Sequence, residues 1–253
     1  MLDRTTFLRP IAHRGLHDAA RGIIENTAPA FEAAIAKGYG IECDLQPAAD
    51  GTPLVFHDLE LGRLTTGSGL ITGLQPGCAA KLPFRGTDLT GILSFADLLA
   101  LIGGRVPLLA EIKSEWNEPN PAFMVKISNL ATAYAGPLAL MSFDPAVMAT
   151  IRRLAPGVPR GIVTGSYRYP DGTPWYPDQL SDARRDALAN LKESGPADPY
   201  FYAYDVRALP SPVAQRIRDD LRLPLFTWTV RTEAQRETAR LHADAQIFEG
   251  YEA

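Results

Sequence analysis

The chain has 253 residues, of which 46% are hydrophobic and 21% are charged, and its formal net charge at pH 7 is −4. This length fits one large domain, because α/β barrels of about 200–250 residues occur as single units. The charge balance excludes a globally basic surface, and no Lys-rich or Arg-rich run suggests an anionic membrane. We therefore expect no nucleic-acid partner, and a phosphate-bearing ligand would need local cations.

The first ten residues mix charged and apolar side chains, which argues against a signal peptide. No later apolar stretch is long enough to span a bilayer. The two cysteines, Cys43 and Cys78, lack metal-ligand spacing, and Cys43 lies in an apolar strand pattern typical of a reduced core thiol. These features predict a cytoplasmic protein.

Short apolar runs alternate with helical patterns along the whole chain. The nine predicted strands are Phe7–Ala12, Gly40–Leu45, Pro53–His57, Val106–Lys113, Leu138–Phe143, Arg160–Thr164, Tyr200–Tyr204, Pro224–Val230 and Ala245–Phe248. The helical patterns cover 26–38, where Asn26 or Thr27 can cap a helix that stops at Gly38, and then Ser94–Ile102, Pro121–Ala135, Pro145–Leu154, Asp182–Glu193, Pro212–Asp219 and Thr232–His242.

Strands that alternate with helices pair in parallel, and about eight such units predict a (β/α)8 barrel. One link does not fit a regular barrel. Between Leu45 and Pro53 the chain has Asp50–Gly51, a hairpin signal in a segment too short for a crossover helix. We therefore expect an irregular TIM barrel, with one strand outside the closed ring or one helix missing.

Charged residues alternate with apolar ones on two predicted strands. A period of two places Glu42 and Asp44 on one face of their strand, and Glu111 and Lys113 on one face of another. Charges that point into a barrel are costly unless they are paired or coordinated. Each pair alone fits a structural ion pair as well as a functional site.

Two of the four histidines, His13 and His57, follow strand-like runs directly. One histidine in such a place is usually structural. Two of them, together with three carboxylates and two cations at strand ends, match the rim where barrel enzymes place their sites.

Each residue type in this set has a chemical task. Glu42, Asp44 and Glu111 offer the oxygen ligands that Mg²⁺ or Ca²⁺ prefers. Arg14 and Lys113 can bind phosphate oxygens. The two histidines can divide general acid and general base work. The set predicts phosphoryl transfer or phosphodiester hydrolysis of a small-molecule substrate.

The order of these residues resembles the glycerophosphodiester phosphodiesterase family. The matching residues are His13-Arg14-Gly15, Glu25-Asn26-Thr27, Ala30-Phe31, Glu42-Cys43-Asp44, Asp50-Gly51 and His57-Asp58, then Leu61, Arg63, Thr65 and Gly67, and later Glu111-Ile112-Lys113, Ser142-Phe143 and Trp228-Thr229-Val230.

The resemblance implies one domain over residues 1–253, a phospholipase-C-like TIM barrel with a short insertion at about 61–93. It implies hydrolysis of glycerophosphodiesters to glycerol 3-phosphate and an alcohol. The implied roles are acid and base for His13 and His57, metal ligands for Glu42, Asp44 and Glu111, phosphate contacts for Arg14 and Lys113, and pocket lining for Phe143 and Trp228. Trp228 fits a core aromatic equally well.

Two positions depart from the family pattern. Arg231 stands where Asn commonly follows Trp-Thr-Val, and Glu249-Gly250 stands where Thr-Asp usually follows the last strand. An irregular segment, 166–179, is rich in aromatic residues, and either forms a wall for the substrate's alcohol group or packs on itself.

These features keep open a related phosphodiesterase with another head group, such as a lysophospholipase-D-like or sugar-phosphodiester activity. A third interpretation is an inactive phosphate-binding barrel. Loss of a histidine or carboxylate would be its signature, and none is lost.

Overall fold

The computed structural model describes residues 1–253. The strands are β1 (Ile11–Ala12), β2 (Gly40–Pro47), β3 (Pro53–Val55), β4 (Leu108–Ile112), β5 (Leu138–Ser142), β6 (Arg160–Thr164), β7 (Phe201–Asp205), β8 (Leu225–Val230) and β9 (Ala245–Phe248). The helices are α1 (Arg4–Phe7), α2 (Ala28–Ala36), α3 (Pro76–Ala79), α4 (Phe95–Ile102), α5 (Pro121–Ala133), α6 (Pro145–Leu154), α7 (Asp182–Ala189), α8 (Pro212–Asp219) and α9 (Glu233–His242).

All nine strands belong to one sheet, in the order β1-β9-β8-β7-β6-β5-β4-β2-β3. A further pairing of β1 with β2 closes eight of them into the ring of a (β/α)8 TIM barrel. The ninth, β3, runs antiparallel to the end of β2, with Leu45 opposite Val55 and Pro47 opposite Pro53. This confirms the predicted irregular barrel, and β3 is the strand outside the ring.

The first predicted strand, Phe7–Ala12, is wrong in its N-terminal half. Only Ile11–Ala12 is a strand, and Arg4–Phe7 forms the short helix α1. The side chain of Asp3 accepts a hydrogen bond from the Thr5 N–H at 3.0 Å and caps this helix. Pro10, which lacks an N–H, precedes the strand.

The chain falls into two compact units. The N-terminal unit comprises 12–113 and 119–138, and the C-terminal unit comprises 1–11, 114–118 and 139–253. In the N-terminal unit the adjacent strands β2 and β4 are almost wholly buried, as parallel strands under helices are. Helix α4 packs against α2, α5 and β3. A capping box of Ser94 and Asp97 begins this helix, and Gly103 in a left-handed conformation ends it.

The segment 61–93 of the N-terminal unit has little regular structure beyond single helical turns. Its apolar residues, among them Ile71 and Phe84, share one buried cluster with Leu54 and Phe56 of the β2–β3 region. In the C-terminal unit, β6 to β9 pair in parallel in chain order. None of the helices combines the length and the apolar character that a membrane crossing requires.

Candidate active site

Three buried carboxylates meet where β2 and β4 run side by side. Asp44 lies directly opposite Glu111 in the parallel register, and Glu42 lies on the same face of β2 as Asp44. Oxygen atoms of all three lie within 4.8 Å of one another. The strand alternation thus places three acids on one buried patch, as the sequence predicted.

Two cations lie against this patch. The Nζ of Lys113 is 2.7 Å from Oδ1 of Asp44 and 2.6 Å from Oε1 of Glu111. The Nε of Arg14 is 3.1 Å from Oδ2 of Asp44. Asp44 therefore contacts both cations, whereas Glu42 accepts a hydrogen bond from the backbone N–H of Arg14 at 3.1 Å.

These contacts affect the pKa values of the three acids differently. Burial raises the pKa of Glu42 well above its usual value, and the charges of Asp44 and Glu111 add to that effect. Burial also raises the pKa of Glu111, against the pull of Lys113. For Asp44 burial is overcome by Lys113 and Arg14, which hold its pKa well below the usual value. The positive charges of Lys113 and Arg14 therefore offset only part of the negative charge of the three carboxylates.

His13 and Arg14 lie in the turn that follows β1. The Nε2 of His13 is 3.9 Å from Oε2 of Glu42. Arg14 has a positive φ of 57°, and Gly15 follows with a φ of 79°. A Cβ on Gly15 would lie 2.8 Å from the carbonyl carbon of Ala30, so this tight approach to α2 needs glycine.

The residues before α2 belong to the same site. Asn26, with a positive φ of 56°, donates from Nδ2 to Oδ2 of Asp44 at 2.8 Å. Its backbone N–H donates to the Arg14 carbonyl at 2.9 Å. The sequence indicated Asn26 or Thr27 as a helix cap, and for the Asn26 side chain this is wrong, because it orients Asp44. Thr27 occupies the N-cap position, but its hydroxyl donates to the Ile24 carbonyl at 2.6 Å.

The β2–β3 hairpin returns His57 to the acidic patch. The Phe56 N–H donates to the Asp44 carbonyl at 3.0 Å, and the Gln46 side chain donates to the His57 carbonyl at 3.1 Å. These bonds fix the backbone on both sides of the histidine. The strand outside the ring therefore holds His57 close enough for its charge to affect Asp44.

The Nδ1 of His57 lies 2.7 Å from Oδ1 of Asp58. Burial opposes ionisation of Asp58, but hydrogen bonds from Arg63 and His57 keep its pKa below the usual value. An ionised carboxylate only accepts, so Nδ1 carries the proton and Nε2 presents a lone pair. Burial and the charge of Lys113 lower the pKa of His57 to about 4, so the ring is neutral at neutral pH.

Phe143 and Trp228, the two predicted pocket residues, belong to an aromatic cluster of the C-terminal unit. Their rings meet edge to face, with centroids 5.3 Å apart. Both pack on Trp175, which is buried with Tyr167. The aromatic segment 166–179 thus packs on itself, while Phe143 and Trp228 stay partly exposed on its surface.

The two departures from the family pattern contact each other. The Nε of Arg231 lies 2.6 Å from Oε1 of Glu249. Both follow adjacent strands, β8 and β9. The two replacements therefore form one ion pair.

The sequence model of the glycerophosphoryl diester phosphodiesterase family matches residues 13–248. The chain belongs to this family. A curated relative, the "Probable glycerophosphodiester phosphodiesterase 1" of Mycobacterium tuberculosis, is 28% identical over 189 residues, which is 63% of this chain and 65% of that protein. The match therefore spans slightly less than two thirds of the relative's length.

Solved structures share the fold. A phosphodiesterase of Oleispira antarctica, determined in complex with the product sn-glycerol-3-phosphate, aligns with a TM-score of 0.72 at 19% identity over 95% of this chain and 92% of its own. A putative glycerophosphoryl diester phosphodiesterase of Silicibacter pomeroyi aligns with a TM-score of 0.73 at 23% identity, over 95% of this chain and 89% of its own.

The acidic patch of this glycerophosphodiester phosphodiesterase family member fits a divalent cation. Glu42, Asp44 and Glu111 provide only oxygen ligands, which is the donor set of Mg²⁺ and Ca²⁺. Burial, and after it the negative charges of Asp44 and Glu111, raise the pKa of Glu42 more than the positive charges of Lys113 and Arg14 lower it. A dication bound to these oxygens would supply the missing positive charge.

The sequence predicted no role in the site for four residues of the family pattern whose side chains bond to it: Glu25, Asn26, Asp58 and Arg63. All four lie in the motifs that match the family, so the motif order was the available signal. Spacing along the chain could not indicate which side chains they touch.

Proposed function

We propose that this chain is a metal-dependent phosphodiester hydrolase that cleaves glycerophosphodiesters to glycerol 3-phosphate and an alcohol. The observation that supports the proposal best is the buried patch of Glu42, Asp44 and Glu111, flanked by His13 and His57 in one compact unit. Family membership and the fold support the same class of reaction. In this proposal the metal ligands are the three carboxylates, and the ion is Mg²⁺ or Ca²⁺.

A cation held by these carboxylates would polarise a phosphoryl oxygen and lower the pKa of an attacking hydroxyl. Arg14 and Lys113 bind the phosphate. The Nε and Nη1 atoms of Arg14 contact Asp44 and Glu25, and Nη2 takes no part in these two contacts. Lys113 has three N–H donors and contacts two carboxylates, so one donor is left for a phosphate oxygen.

His57 is the general base. Its ring is neutral near pH 7, its Nδ1–H is held by Asp58, and its Nε2 lone pair accepts a proton from the attacking hydroxyl. That hydroxyl belongs either to water or to the substrate's own glycerol; in the second case water must then open the cyclic phosphate to give glycerol 3-phosphate. His13 is the general acid that gives a proton to the oxygen of the departing alcohol. The pocket-lining role of Phe143 and Trp228 stays a prediction from the family pattern.

A second candidate is a related phosphodiesterase with another head group, and the Arg231–Glu249 ion pair favours it. The family commonly has Asn and Thr-Asp near these positions, so the pair changes the charge presented at the ends of β8 and β9. Under this candidate the phosphate chemistry is the same and the preferred alcohol differs.

The test is hydrolysis of a panel of glycerophosphocholine, glycerophosphoethanolamine and lysophospholipids, with and without EDTA. The main proposal expects release of glycerol 3-phosphate, loss of activity in EDTA, and recovery with Mg²⁺ or Ca²⁺. Full activity in EDTA would exclude the metal. Turnover of lysophospholipids alone would favour the second candidate. A cytoplasmic location and the single domain over 1–253 stay predictions.

A further inference from the structure

Arg63 contacts two carboxylates of the site, Asp58 and Glu25, which lie 33 positions apart in the sequence. It ends the helical turn Leu61–Arg63 in the segment 61–93. Its guanidinium donates from Nε and Nη2 to the two carboxylate oxygens of Asp58, and from Nη1 and Nη2 to the two oxygens of Glu25, at 3.0 and 2.7 Å. All three of its nitrogens are engaged, so Arg63 has no nitrogen set aside for substrate.

Each of these carboxylates holds one residue of the proposed chemistry. Asp58 accepts from the Nδ1 of His57 at 2.7 Å. Glu25 accepts from the Nη1 of Arg14 at 2.7 Å through Oε1, the same oxygen that Arg63 contacts. The Arg63 guanidinium therefore orients Asp58, which holds the proposed base His57, and Glu25, which holds the proposed phosphate ligand Arg14.

We propose that Arg63 is a positioning residue that holds Asp58 and Glu25 so that His57 and Arg14 stay in their reactive orientations. This inference rests on the proposed function of the same site. A planar guanidinium fits the role because its fork fixes the plane of each carboxylate it contacts, which an ammonium cannot do. Without it, both carboxylates can rotate away from their partners.

Simple stabilisation of the fold is the competing role. The Arg63 side chain is 46% exposed, but its partners Glu25 and Asp58 are only 14% and 22% exposed, so these ion pairs also contribute to stability. The chain offers a matched control in Arg105. It is also 46% exposed and contacts both oxygens of Glu32 at 3.1 and 2.8 Å, but no residue of the site. Because Glu32 is 51% exposed, Arg105→Ala should lower the melting temperature somewhat less than Arg63→Ala, and only Arg63→Ala should impair hydrolysis at a temperature where both variants are folded.

Steady-state hydrolysis of glycerophosphocholine is the first measurement. Arg63→Ala should lower kcat/KM by about 10–100-fold, the usual effect of removing a partner that orients a site residue. The loss should appear in both kcat, through His57, and KM, through Arg14. Arg63→Lys should stay impaired, and added guanidinium should restore part of the activity of Arg63→Ala but not change Arg105→Ala. Equal rates for Arg63→Ala and Arg105→Ala would overturn the inference.

A spectroscopic readout separates this inference from the proposed function. In EDTA, the His57 Nδ1–H held by Asp58 should give a far-downfield proton NMR signal in the wild type and in Arg105→Ala. In Arg63→Ala the signal should disappear as the carboxylate turns and the proton exchanges with water. Persistence of the signal in Arg63→Ala would overturn the inference. Absence of hydrolysis by the wild type, with the NMR difference present, would refute the proposed function alone.

Discussion

The Nζ of Lys113, the residue that directly follows β4, lies 2.7 Å from Oδ1 of Asp44 on the neighbouring strand β2. Burial disfavours the ammonium, but Asp44 and Glu111 raise the pKa of Lys113 above its usual value, so it stays charged. This partly buried cation therefore offsets part of the negative charge of the acidic patch.

Substitution Lys113→Met should destabilise the metal-free protein. Removing one partner of a buried ion pair leaves the other charge uncompensated, at a cost of about 3–5 kcal/mol. Urea unfolding in EDTA measures this loss, and Mg²⁺ or Ca²⁺ should recover part of it by binding the freed carboxylates. Lys126→Met, which removes a surface pair with Asp50, is the control and should have a much smaller effect. Equal losses for the two variants would contradict the buried role.

Substitution of either proposed acid–base residue should nearly abolish turnover. His57→Asn and His13→Asn should each slow hydrolysis by about 10²–10⁴-fold, because each removes one proton transfer. Steady-state rates at saturating substrate measure this. His242→Asn at the end of α9 is the control and should leave the rate unchanged. A rate unaffected by His57→Asn would refute its role as base.

The stability of the metal-free protein should depend on pH through His57. Its pKa is about 4 in the folded state and about 6.5 in the unfolded chain. Between these values the unfolded chain binds more protons, so the free energy of unfolding rises with pH. The contribution of His57 is fully present above pH 6.5 and is lost as the pH falls through 4.

Two measurements in EDTA check this pH dependence. NMR titration of the His57 ring should give a pKa near 4, and urea unfolding between pH 4 and 6.5 should show a shallower pH slope for His57→Asn than for the wild type. If the His57 ring titrated near pH 6.5, burial and the charge of Lys113 would not be lowering its pKa.

Substitution Gly15→Ala should destabilise the fold more than Gly22→Ala. Both glycines have a positive φ, 79° and 74°, so alanine is strained at each by about 1–2 kcal/mol. Only at Gly15 would the Cβ also meet the backbone of Ala30, which adds about 1–3 kcal/mol of overpacking. The free energies of unfolding in urea should therefore differ between the variants. Equal values would mean that α2 moves away without cost.

The sequence by itself determined the barrel and the contents of the site. Strand-length apolar runs between helical patterns required parallel pairing, and period-two alternation put Glu42 with Asp44, because successive side chains on a strand point to opposite faces. The Asp50–Gly51 turn required one antiparallel strand. These are local effects of backbone geometry, so they can be read along the chain.

Only the tertiary structure decided which side chains meet. Asn26 contacts Asp44 rather than capping α2, Arg63 contacts Asp58 and Glu25, and Arg231 pairs with Glu249. Except for Arg63–Asp58, these contacts join residues 18 or 38 positions apart. Their geometry depends on register, on the β2–β3 hairpin and on left-handed residues in turns. The spacing of residues in a sequence does not encode these distances, so the seven predicted chemical residues were named from sequence while the network that orients them was not.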